Sequence, residues 1–87
     1  MLRITEVAVG SGLLLKLEGK LREPWGEELA RSARRPLPEG HGPIRLDLSS
    51  LTFADEAGVR LLRELLQQGV EIAATSAFVA ALLRLED

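Results

Sequence analysis

Residues able to carry a phosphate, cap a helix or hold a charge crowd into one short stretch of this chain. Between Asp47 and Arg60 stand Ser49, Ser50, Thr52, Asp55, Glu56 and Arg60, with Ala57 and Gly58 set between the acids and the arginine. Asp55 directly precedes an apolar run of helical period, so its carboxylate is placed to accept an orphan N–H one turn in. Glu56 adds negative charge where the helix dipole favours it, and it lies four residues before Arg60 for a weak stabilising pair. The hydroxyls of Ser49, Ser50 and Thr52 are potential phosphate acceptors. Serines and threonines in a turn more often close local hydrogen bonds, and that reading is preferred.

Catalysis finds little support in the same residues. Asp55 and Glu56 are adjacent, so on a helix they diverge by about 100° and cannot act as an acid/base pair across one substrate. Asp47 reads as a solvent-facing acid near the end of a strand. His41 is the single histidine and sits in a Gly/Pro loop, and there is no cysteine. That removes disulfides, thiol chemistry and zinc sites of the usual composition. No nucleophile–base pair stands out, so neither an enzyme nor a cofactor nor a metal is expected. A formal charge of −2 argues against a nucleic-acid partner. No apolar run approaches the ~20 residues needed to cross a bilayer, and no signal-peptide core opens the chain. A cytoplasmic, bacterial-type protein without membrane insertion is the expectation.

The elements that must position these residues follow from periodicity. Leu2 and Ile4, then Val7 and Val9, alternate with other residues, and the change of parity near Glu6 suggests a bulge. Gly10-Ser11-Gly12 is a turn, with no helix or Gly-Lys-Ser/Thr after it to make a phosphate loop. Leu13, Leu15, Leu17 and Leu21 then share one side of a half-buried strand. Pro24 suits the first turn of a helix whose Trp25, Leu29 and Ala33 form one stripe. Glu27 and Glu28 near its start and Arg31, Arg34 and Arg35 near its end suit the dipole, the arginines reading as a solvated helix end. Pro36 and Pro38 stop that helix, and 39–43 is a loop. Ile44, Leu46 and Leu48 make a strand, 49–55 a polar turn, and 55–69 a helix ended by Gly69. A strand over 70–74 and a helix from Ser76 through Leu85 complete the order β-β-α-β-α-β-α. With the opening hairpin antiparallel and the last two strands joined by a helix, the expected class is α/β, a mixed sheet with helices mainly on one face, as one domain over 1–87.

Leu46-Asp47-Leu48-Ser49, Thr52-Phe53, Asp55-Glu56-Ala57-Gly58 and the leucine-rich helix after them resemble the centre of a STAS domain. That fold belongs to bacterial anti-sigma-factor antagonists and to the cytoplasmic tail of sulfate transporters, and the resemblance extends over nearly the whole chain. In regulated members the segment reads Asp-Ser-Ser-Gly or similar. The residue before the glycine is a hydroxyl that the partner, a kinase-like anti-sigma factor, phosphorylates, and the added charge breaks the complex. The resemblance places Asp55 on the Asp, Gly58 on the Gly and Ala57 on the phospho-acceptor. Alanine cannot take the phosphate, so the usual switch is not expected here. Either Ala57 leaves a permanently binding-competent surface, or Glu56 acts as a fixed negative charge that weakens a kinase contact. The first is preferred, because Glu56 does not stand where the phosphate would.

The resemblance implies a protein-interaction module, with the 49–58 turn and the exposed Arg60, Arg63 and Glu64 as its working surface. Its partner would be a kinase-like anti-sigma factor or a signalling complex. The alternative is an accessory STAS subunit holding the ATPase of an ABC-type lipid transporter. The last helix is apolar nearly all round, which fits either deep burial or self-association as a homodimer. Nothing beyond the fold supports nucleotide binding.

Overall fold

The computed structural model describes residues 1–10, 12–34 and 42–84. Seven elements follow in the order expected: strand β1 (Leu2–Val9), β2 (Gly12–Leu21), helix α1 (Trp25–Arg34), β3 (Ile44–Ala54), α2 (Glu56–Gln67), β4 (Glu71–Thr75) and α3 (Ala77–Leu83). The strands lie side by side as β1-β2-β3-β4, with the hairpin antiparallel and both later pairs parallel. The mixed sheet therefore follows from connection length. A two-residue link returns the chain antiparallel, whereas each helical crossover returns it parallel.

One sheet face is apolar. Leu13, Leu15, Leu17 and Leu21 of β2 are buried, as are Leu46, Leu48, Leu51 and Ala54 of β3. Leu29 and Ala33 of α1, Leu62 and Leu65 of α2, and Val79 and Leu83 of α3 cover them. Each leucine shut away entirely contributes about 1.5–3 kcal/mol relative to exposure. The opposite face is set in rows of opposite charge: Arg3 faces Glu18, Lys16 faces Asp47, and Arg45 faces Glu71. The last of these pairs closes to 3.2 Å. Such exposed pairs add little stability, but they keep this face in water.

Four expectations are corrected. The hairpin register runs unbroken from Leu2 opposite Gly19 to Val9 opposite Gly12, so there is no bulge at Glu6. The change of parity in the sequence reflects exposure instead, since Val7 and Val9 stand on the open face at 41% and 56% exposed. The turn expected over 49–55 is strand, because β3 runs on to Ala54. Two register shifts against β2 let it do so. Leu17, Gly19 and Leu21 recur every second residue, while their neighbours Leu48, Leu51 and Ala54 recur every third, with Ser49 and Thr52 bulged outward. The strand expected over 70–74 is Glu71–Thr75, and α3 ends at Leu83. On α3 the structure buries Val79 and Leu83 and leaves Phe78 52% exposed.

The caps are as the sequence suggests. Ser76 Oγ accepts the Val79 N–H at 3.2 Å. Gly69, at φ +102°, turns the chain after α2 while Val70 N–H reaches Leu65 O and Gly69 N–H reaches Leu66 O. This double closure satisfies the last carbonyls of the helix. Pro24 lies just before α1, after a cis Glu23–Pro24 bond. Ser11, Arg35, Pro36, Pro38, His41 and Leu85, named in the sequence reading, lie outside the described residues.

Candidate functional site

Asp55 sits where three segments meet. Its Oδ1 accepts the Gly58 N–H at 2.7 Å, capping α2, and its own N–H donates to Leu21 O at 3.0 Å, tying the helix start to the end of β2. Oδ2 also receives the Glu23 N–H at 3.4 Å. An aspartate cap is favoured here because the first N–H groups of a helix lack intrahelical partners. Gly58 is buried against the same corner. A Cβ added there would lie 2.8 Å from Leu21 O and 3.0 Å from Leu21 Cγ. Close approach of helix and strand, rather than an unusual backbone angle, is what asks for glycine.

Ala57 is half-buried and lies at a cleft of about 470 Å³ between the starts of α1 and α2. Leu21, Pro24, Gly26, Ala30 and Leu61 give the cleft apolar walls, and Glu23, Glu27 and Arg22 stand at it. Glu56 points into solvent and meets Arg60 at 3.4 Å across one helical turn. Both side chains are well exposed, so the pair counts for little in stability.

The three hydroxyl residues do not gather at this corner. Ser49 Oγ donates to Asp47 Oδ1 at 2.6 Å, and the Ser49 N–H donates to the same oxygen at 3.0 Å. Those two bonds, with Lys16 alongside, hold the Asp47 carboxyl below the usual carboxylate range. Thr52 Oγ1 donates to Gly19 O at 2.9 Å across the bulge. Ser50 is half-buried on β3. At ~3.3 Å per residue, Ser49 stands up to roughly 20 Å along the strand from Asp55. The structure thus brings together Asp55, Glu56, Ala57, Gly58 and Arg60, and sets Ser49 and Ser50 apart from them. Glu23, Pro24, Gly26 and Glu27 join the site unannounced by the sequence. Pro24 and Gly26 mark a turn and a thin helix face there, but which helix they would meet is a tertiary fact. Among the described residues, no three His, Asp or Glu side chains gather as metal ligands, and no helix is long and apolar enough to cross a membrane.

A four-stranded mixed sheet with a capped α2 at one corner defines a class known from other proteins. Residues 4–87 match the family described as Mlab, STAS domain. The chain belongs to the STAS domain family. Among solved structures, an anti-sigma-factor antagonist STAS domain from Rhodobacter sphaeroides superimposes with a TM-score of 0.65 at 16% identity, over 91% of this chain and 90% of that one. The crystal structure of Mglu gives a TM-score of 0.63 at 24% identity over 83% of this chain. The match spans only 19% of Mglu, and at these identities both likenesses speak to fold. No curated protein sequence matches the chain.

Proposed function

We propose that this chain is a non-enzymatic docking module whose partner-facing surface is the start of α2 and the cleft beside it. The observation that carries the reading is Ala57. It lies half-buried at a cleft whose walls are mostly apolar, and the resemblance aligns it with the family's phospho-acceptor position. A small side chain there lets a partner's backbone come close, and no hydroxyl is present to receive a displacing phosphate. Arg60, Arg63 and Glu64 are exposed on α2 beyond this cleft, with Arg63 Nη2 donating to Leu82 O of α3 at 3.3 Å. The partner is a protein of the kinase-like anti-sigma class or a signalling complex containing one.

A second reading, an accessory subunit on the ATPase of an ABC-type lipid transporter, is favoured by the same residue. A subunit that stays bound has no use for release by phosphorylation. Affinity capture with the wild type and with Ala57→Arg tests the common ground of the two readings. An ATP-binding protein should be retained by the wild type and lost by a folded Ala57→Arg. Equal retention by both would place the contact elsewhere. Ala57→Ser separates the two readings. A captured kinase-like partner given ATP should phosphorylate Ala57→Ser and leave the wild type untouched, whereas a transporter ATPase should modify neither.

A further inference from the structure

The cleft between the starts of α1 and α2 has a chemistry that narrows what can enter it. Gly26 and Ala30 of α1 and Ala57 of α2 line it with side chains too small to fill it. Its volume of about 470 Å³ leaves room for bulky apolar groups. Sites for small ligands fix their guests with a few well-placed polar groups. Among the described residues no polar or charged side chain is buried, so nothing of that kind would orient a small molecule here. A polypeptide segment needs no such anchor, because it is positioned by the partner that carries it.

Charge then separates one kind of segment from another. Glu23 and Glu27 stand at the cleft with Arg22, and all three are exposed. Among the described residues neither glutamate carboxylate meets a cation. The starts of α1 and α2 each add about half a positive charge. The Asp55 carboxylate, which accepts the Gly58 and Glu23 N–H groups, offsets them. Two glutamates against one arginine leave the rim net negative. Rim charges of this kind add little raw affinity, but they select the partner and speed its approach.

Given the docking reading above, on which this rests, we infer that the cleft receives a partner segment carrying bulky apolar side chains beside lysine or arginine. The apolar side chains bury against Gly26, Ala30 and Ala57, and the cations lie over Glu23 and Glu27. An acidic segment of the same shape is turned away, because it would bring like charges together at the rim. Both glutamates are exposed, so added salt screens their share of the binding and leaves the apolar share in place.

Panning a random linear peptide library against the immobilised chain tests this without the natural partner. Enriched peptides should join leucine, isoleucine, methionine or phenylalanine to lysine or arginine. An enriched peptide, made synthetically, should bind the double variant Glu23→Gln, Glu27→Gln about threefold or more weakly than the wild type. Raising salt from about 0.05 M to about 0.5 M should weaken the wild type more than that variant. Ala57→Arg and Ala30→Arg fill the cleft from α2 and from α1, and both should abolish binding while their circular dichroism stays native. Enrichment of acidic peptides, no enrichment, or equal binding by the glutamine variant overturns the inference. So does binding that survives in either folded arginine variant. The docking reading fails separately, when a captured ATP-binding partner stays on Ala57→Arg. If that partner leaves Ala57→Arg but holds the glutamine variant as tightly as the wild type, docking stands and the basic segment falls.

Discussion

Two glycines in neighbouring helices should respond oppositely to the same substitution. At Gly58, in the first turn of α2, an alanine Cβ would lie 2.8 Å from Leu21 O and 3.1 Å from Asp55 Oδ1. The Leu21 carbonyl is backbone and already accepts the Asp55 N–H at 3.0 Å, so it cannot withdraw without loosening that bond. Overpacking of this kind costs about 1–3 kcal/mol, against a gain of up to about 1 kcal/mol in helix propensity. The net expectation for Gly58→Ala is a loss of about 1–2 kcal/mol. For a domain this size that lowers the melting temperature by roughly 5–15 °C. At Gly26, in α1, the new Cβ would meet Leu61 Cδ2 at 3.6 Å, an ordinary contact. Gly26→Ala should therefore gain about 0.4–1 kcal/mol, mainly by restricting the unfolded chain. Urea unfolding, followed through the single tryptophan Trp25 and by far-ultraviolet circular dichroism, gives both numbers. If Gly58→Ala were as stable as the wild type, or if both alanines moved stability the same way, the close helix–strand contact at Asp55 would be refuted.

Asp55→Ala should cost about 1–2 kcal/mol in the same assay, because it orphans the Gly58 N–H, while Asp55→Asn should keep part of the cap. No loss in Asp55→Ala would remove the capping argument. The lowered pKa of Asp47 makes a pH prediction of definite sign. A carboxyl whose folded value lies below its ordinary 3.8 adds stability above that value, and the contribution is lost as pH falls through the lowered folded value. Ser49→Ala removes the largest cause of the lowering, so its urea midpoint should fall less than that of the wild type between pH 7 and about pH 2.5. Identical acid limbs would show that the Ser49 hydroxyl does not hold Asp47.

Element order and helix ends were largely legible in the sequence because they rest on local chemistry. Leucines every second residue gave β2, Asp55 and Ser76 announced helix starts, and Gly69 announced a stop. The strand after Leu48 was hidden because its apolar residues change spacing from two to three. That spacing has no local meaning until β2 lies alongside and absorbs it in two bulges. Polar Ser49-Ser50 and Thr52 then resembled a turn. Asp55, Glu56, Ala57, Gly58 and Arg60 do sit together, since neighbours on one helical turn cannot be far apart. The α1 side of the cleft was out of reach, because only the packing of α1 on α2 brings Gly26 to Leu61. The apolar character of α3 was plain, but which of Phe78 and Val79 turned inward depended on the sheet beneath it.

The double bulge also fixes the phase in which the polypeptide leaves the sheet. Removing one residue between Leu48 and Asp55 would not shorten a loop. It would abolish one bulge and bring Leu48 and Leu51, or Leu51 and Ala54, to the two-residue spacing of β2, so the later side chains would keep their phase. An added residue, with no third bulge to absorb it, would instead turn Ala54 toward water and swing the aspartate from the β2 carbonyl, whereas point changes at Ser49 or Thr52 leave that angle untouched.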